Sequence, residues 1–155
     1  MTDIEDRLEQ LSITLPEPPL PVGNYVGAVS VGNLVYLSGH GTNRPDGSYV
    51  TGKVPTECPE GEAYEAARLV GINMLGTLRG HLGALDRVQQ VVKVLGMVNA
   101  DATFTNHPGV INGFSDLMAE VFVERGVGAR SAVGVGSLPM NIPVEIEMIV
   151  EVNRV

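Results

Sequence analysis

A Val-rich run, Val88–Asn99, stands between two segments of helical periodicity, and this arrangement narrows the possible folds more than any other feature. The first segment opens at Pro59 and runs to about Leu82. Its Ala63, Ala67, Val70, Met74 and Leu78 step by four, three, four and four residues, which places them on one helical face. The second segment, Pro108–Glu124, carries Val110, Phe114, Leu117, Met118, Val121 and Phe122 on its inner side. Gly83 and Gly126 are natural stops. Upstream, Tyr25–Val31 and Leu34–Ser38 read as strands, and the two-residue turn Gly32-Asn33 predicts a hairpin. The loop Thr42–Lys53 is expected to hold a short strand near Ser48–Val50. Downstream, Ser131–Val135 and Val144–Val152 read as strands around a Leu138-Pro139 bend. The order β-β-(β)-α-β-α-β-β predicts an α/β (α+β) layer, a mixed six-stranded sheet with two helices on one face. The other face would stay bare in a monomer. Apolar residues on both sides of the strands (Val91, Val92, Val94, Leu95; Val144, Ile146, Met148, Ile149, Val150) predict that other subunits bury it.

The 155 residues read as a single domain, 1–155, large enough to bury about 70% of its unfolded surface. Residues 1–21 form a distinct N-terminal piece. Ile4, Leu8 and Leu11 give a short helix over Asp3–Leu11, and Pro16, Pro18, Pro19 and Pro21 give an extended arm. Gly71, Gly76 and Gly80 each weaken the first long helix by up to about 1 kcal/mol, so tertiary packing must support it.

Ten Lys and Arg against eighteen Asp and Glu give a net charge of −8. With no basic cluster to neutralise phosphates, a nucleic-acid partner is disfavoured. The lone Cys58 excludes an internal disulfide and suits a reducing compartment. Met1–Gln10 is polar and acidic, unlike a signal peptide, and no apolar run reaches the roughly 18 residues of a membrane span. The expectation is a soluble cytoplasmic protein with no membrane partner. No phosphate-cradling glycine loop and no Gly-x-Ser-x-Gly elbow is present. His40, His81 and His107 lie far apart without ligand-spaced partners, so no metal is expected. Cys58, just before Pro59, reads as a helix-start residue rather than a nucleophile.

The chemistry concentrates in Gly128-Ala129-Arg130-Ser131-Ala132-Val133-Gly134-Val135-Gly136-Ser137-Leu138-Pro139 and the following Val144-Glu145-Ile146-Glu147. Arg130 opens an apolar strand, where a lone cation is costly unless paired. Glu145 lies on the next one. If those strands pair around the Leu138-Pro139 bend, both charges reach one pocket. There Arg130 would grip a small carboxylate and Glu145 would position or deprotonate a water. The alternative is a structural Arg130–Glu145 salt bridge.

This segment resembles the signature of the YjgF/RidA family, the reactive-intermediate deaminases: Ala-Arg-Ser, a short strand, Leu-Pro, then Val-Glu-Ile-Glu. Tyr25, the hairpin Val31–Gly39 and Asn112 extend the likeness over about Val22–Val152. The resemblance implies a chorismate-mutase-like fold, assembled as a homotrimer around a central sheet barrel with its sites in clefts between subunits. Deaminating members hydrolyse short-lived 2-imino and enamino acids to 2-oxo acids and ammonia, with no metal or organic cofactor. By the match, Arg130 holds the substrate carboxylate, Glu145 helps place the attacking water, and Tyr25 and Asn112 line the pocket. Gly39 would let a ligand approach the backbone, and Ala132 stands where many members carry Cys, which excludes a thiol role. His40 sits where a Gln often follows the Ser-Gly pair, and the N-terminal arm is longer than in compact members, as in a divergent subgroup. Bland alternatives remain: Tyr25 packing at a subunit edge, Asn112 bonding local backbone near its helix start, and Ser38-Gly39 as a strand end. Alternative functions are a non-catalytic binder of a small carboxylate metabolite, an endoribonuclease or translation inhibitor, and a chaperone-like role in which Arg130 is structural.

Overall fold

A computed structural model describes residues 3–153; residues 1–2 and 154–155, the ends of the expected domain, lie outside the described residues. The chain folds as α1 (Ile4–Gln10), β1 (Ala28–Val31), β2 (Leu34–His40), α2 (Glu60–Leu82), β3 (Val88–Asn99), α3 (His107–Phe122), β4 (Ala129–Val135) and β5 (Val144–Val152). Short 3-10 turns occupy Leu85–Arg87, Val123–Gly126 and Pro139–Asn141.

Local chemistry explains most boundaries. Asp3 caps α1 by accepting from the Glu5 backbone N–H at 3.0 Å. Pro59 precedes α2, Glu60 and Glu62 complement its N-terminal dipole, and Gly83 ends it at φ 83°. The β1–β2 hairpin closes Val31 against Leu34, with Gly32 at φ 62°. The second long helix stops at Phe122 rather than Glu124, because Val123 leaves helical space at φ 57°, ψ −129° and starts a 3-10 turn.

One five-stranded sheet runs in the order β1-β2-β5-β3-β4, antiparallel except for the parallel β3–β4 pair. Two expectations are corrected. The sixth strand near Ser48–Val50 is reduced to a single bridge, Asn43 with Tyr49. Its backbone groups are spent locally: Ser48 N–H donates to the Asp46 carboxylate at 2.9 Å, and Arg44 N–H to the Ser48 carbonyl at 2.7 Å. Moreover, β4 and β5 do not pair. They flank β3, because α3 is a crossover that returns β4 parallel to β3.

The core lies between the sheet and the α2–α3 pair, and α1 packs on α3. Val35, Leu37, Val91, Val94, Val98, Ile146, Met148 and Val150 point to this side and meet Met74, Leu78, Phe114 and Met118. Phe114 is fully buried. Phe114→Ala is expected to cost about 3–5 kcal/mol, read as a lower midpoint in urea or guanidinium unfolding.

The opposite sheet face has no helix over it. It is mixed rather than continuously apolar: Tyr36, Leu95, Met97, Val133 and Ile149 share it with Lys93, Glu145, Glu147 and Glu151. In β5 the apolar residues Val144, Ile146, Met148 and Val150 all turn inward, which leaves Ile149 alone among carboxylates outward. Lys93 partly settles this face by donating to Ser131 Oγ at 2.8 Å.

Candidate functional site

Arg130 stands on β4, an edge strand, directly across from Val94 of β3. Its side chain turns to the helix layer. One guanidinium nitrogen, Nη1, donates to Asn112 Oδ1 at 2.8 Å and to Ser115 Oγ at 3.1 Å. These acceptors sit three residues apart on α3, on one helical face. The same guanidinium lines a pocket of about 300 Å³ with Val94, Ser115, Met118 and Gly128. Asp116 also borders it, but its carboxylate accepts the Tyr64 hydroxyl at 2.6 Å. The ion pairs among the described residues are Arg68–Glu120 and Arg79–Glu5, so Arg130 is held by neutral groups and keeps its charge unneutralised. Asn112 is no cap. That place belongs to Asn106, whose side chain accepts from Gly109 N–H at 3.2 Å. Ala132 lies two residues along β4, opposite Gly96, and packs against the core.

Glu145 belongs to a different pocket, of about 320 Å³, which also takes in Tyr25 and Gly39. Gly39 leaves room for the Glu145 carboxylate: a Cβ there would lie 2.7 Å from Glu145 Oε2, and the Glu145 side chain would have to shift. Burial, with the nearby charge of Glu147 as the second cause, pushes the Glu145 carboxyl above its ordinary range. A short buried chain backs this pocket. His40 Nδ1 lies 2.6 Å from the Ser38 carbonyl, which can only accept, so Nδ1 carries the proton. Burial holds the His40 pKa below its usual value, and the neutral ring's Nε2 accepts from the Thr77 hydroxyl at 2.8 Å. Ser38 Oγ donates to the Val26 carbonyl at 2.6 Å, so this hydroxyl fixes the strand end.

The candidate residues therefore form two groups: Arg130 with Asn112, flanked by Ala132, and Glu145 with Gly39 and Tyr25. The groups are two strands apart, about 9–10 Å across the sheet. They also face opposite sides. Arg130 pairs with inward Val94, whereas Glu145 pairs with outward Met97, an odd number of residues away on β3. Neither the single pocket nor the Arg130–Glu145 salt bridge considered from the sequence exists within one protomer.

Residues 5–152 match the family described as "YjgF/chorismate mutase-like, putative endoribonuclease". The chain belongs to this family. It is 38% identical to Protein TCP17 of Trypanosoma cruzi over 96% of this chain and 93% of that one. It is 37% identical to a 2-iminobutanoate/2-iminopropanoate deaminase of Dermatophagoides farinae over 89% of this chain and 93% of the relative. The crystal structure of Agrobacterium tumefaciens protein Atu1372, whose function is unknown, superposes with a TM-score of 0.88 at 40% identity, over 97% of this chain and 94% of that one.

Within this YjgF-family chain, several site residues escaped the sequence reading. Ser115 is the second partner of Arg130, and its i, i+3 spacing from Asn112 was the available signal. Thr77 and the arm residues around Leu20 line the Glu145 pocket without any local pattern that marks them, and His40, noted from the sequence only as a departure after Ser38-Gly39, lines it as well. Cys58 is buried, and burial raises its thiol pKa, which suits packing rather than nucleophilic attack. Among the described residues no group of three His, Cys, Asp or Glu side chains is placed to hold a metal ion, and no helix is long and apolar enough to cross a membrane.

Proposed function

We propose that this protein hydrolyses short-lived 2-imino acids to 2-oxo acids and ammonia. The observation that carries this reading is Arg130, held by Asn112 and Ser115 yet paired with no carboxylate among the described residues. A guanidinium oriented by neutral acceptors keeps donors and charge for an incoming carboxylate. The deaminase name of the Dermatophagoides farinae relative supports the same reading.

Because Arg130 and Glu145 face opposite sides of one sheet, a working site takes Arg130 from one copy and Glu145 from the next. A homotrimer built over the bare sheet face supplies such clefts. Arg130 then fixes the substrate carboxylate, and Glu145 holds a water against the imine carbon. Attack forms the C–O bond as the C=N π electrons move to nitrogen, and the proton the water gives up passes through the Glu145 carboxylate to that nitrogen. Collapse of the carbinolamine forms the C=O bond and expels ammonia. A protonated imine is already electrophilic, so orientation and one placed water suffice and no cofactor is needed. The lone buried Cys58 suits a reducing compartment such as the cytoplasm.

The test generates imines from a panel of amino acids with an amino-acid oxidase and traps the remainder with semicarbazide. Faster imine loss with the wild-type protein is the expected result. No acceleration with any imine would overturn the reading and leave Arg130 as a carboxylate-binding residue.

A further inference from the structure

The N-terminal arm carries no part of the chemistry above, yet the structure gives it a defined seat and a defined end. After α1 the chain runs without regular structure, with Leu15 buried. The Pro16 carbonyl then lies directly against Gly76 of α2, where any Cβ would collide with it. One turn further along α2, a Cβ on Gly80 would come within 2.8 Å of Pro18 Cγ. The two glycines cut a groove into the helix surface, and the prolines lie along it with little conformational freedom to lose.

Beyond this seat the arm passes over the Glu145 pocket, which Pro19, Leu20, Pro21 and Val22 help to line. Leu20 and Val22 are 89% and 86% exposed, Tyr25 is 49% exposed, and Met140, on the same rim, is 52% exposed. Scattered exposed apolar residues are ordinary, but here four large ones border one concavity, an arrangement suited to an apolar ligand group. The charge of the lining points the same way: Glu145 is its one charged residue, with no Lys or Arg among the described residues that line it.

Resting on the imine-hydrolase reading, we infer that the arm Pro16–Val22 is a specificity wall. It makes the pocket select 2-imino acids with bulky apolar side chains and reject those with acidic ones. The carboxylate end of the substrate stays with Arg130. The side chain extends under Leu20 and Val22, where an apolar group is desolvated favourably and a second carboxylate meets Glu145 with no cation to compensate it.

The experiment compares kcat/KM for the leucine-derived imine with that for the glutamate-derived imine. The proteins are wild type, Leu20→Ala/Val22→Ala, and Gly76→Leu, which unseats the arm. Leu20 and Val22 are so exposed that their truncation leaves folding intact, so the double variant remains informative if Gly76→Leu fails to fold. Wild type should prefer the leucine-derived imine, and the double variant should lose about tenfold or more of that preference. Equal ratios in wild type and the double variant, or a wild-type preference for the acidic imine, would overturn the inference. Calorimetric binding of 4-methyl-2-oxopentanoate and 2-oxoglutarate to the same proteins separates the two failures. If wild type hydrolyses no imine, the hydrolase reading falls, and the arm is judged on whether the double variant loses discrimination between these ligands. If wild type binds them equally or binds neither, the wall falls too.

Discussion

Arg130→Ala is expected to lower kcat/KM for imine hydrolysis by about 10²–10⁴-fold while the protein stays folded. Two charge-assisted hydrogen bonds to a carboxylate, at about 1.5–3 kcal/mol each, amount to that range. The fold should tolerate the change because Arg130 lies on an edge strand and is only partly buried, so water can reach the vacated Asn112 and Ser115. Arg130→Lys should fall between, since an ammonium keeps the charge but loses the fork that matches a carboxylate. Steady-state kinetics with semicarbazide trapping, beside calorimetric binding of a 2-oxo acid, reads both effects. A fully active alanine variant would remove Arg130 from the site.

Glu145→Gln is expected to reduce kcat by about 10²–10⁴-fold, the usual contribution of a positioned general base. Here a pH profile separates chemistry from structure. Burial and the charge of Glu147 raise the Glu145 pKa, so wild-type kcat/KM should fall on the acid side at a pH above the ordinary carboxylate range. The Gln variant should lack that limb. The stability effect has the opposite sign. A carboxyl whose folded pKa is raised favours the folded state below its unfolded pKa, and that contribution is lost as pH rises through the folded pKa. Above its raised folded pKa the ionised Glu145 is therefore a burden on the fold, and there Gln, which mimics the protonated acid, should match or exceed wild type in thermal unfolding. Equal activity with an unchanged pH profile would show that Glu145 takes no part. Because the proposed cleft joins two copies, refolding the two inactive variants together should restore about a quarter of wild-type activity, from interfaces that pair the intact Arg130 of one chain with the intact Glu145 of the other.

Local signals were the legible ones. The bounds of β3 and β5, the Gly32 turn and the Gly83 stop follow from β-branched runs and glycine conformations that need nothing distant. The pairing of β4 with β3 instead of β5 was harder, because Leu138-Pro139 imitates a hairpin bend. The decisive clue was the helix between β3 and β4, since a crossover of that length joins parallel strands. The expected β4–β5 pairing would have brought Arg130 and Glu145 to one pocket within a protomer, and the β4–β3 pairing removes that route. The side-chain bonds of Asp46 and Arg44 that displace the sixth strand involve residue types common in any loop. The arm left half a trace. Gly76 and Gly80 marked α2 as intrinsically weak, and the sequence correctly demanded tertiary support for it. Most of that support comes from α3 and the sheet, with Gly71 against Leu117, Met118 and Phe114; that the proline arm adds to it at Gly76 and Gly80 depends on contacts some sixty residues away in the chain.

The separation of the two groups across the sheet would make recognition by the proposed site modular. On the hydrolase reading, Arg130, Asn112 and Ser115, which belong to β4 and α3, would read the carboxylate, a feature shared by every amino-acid derivative. The arm, Tyr25 and Met140 border a pocket that shares no residue with them. If the arm sets side-chain selection as inferred, drift in it would retune which side chain is accepted without disturbing the grip on the head group, and one scaffold would diversify its substrates by changing a strap outside its core.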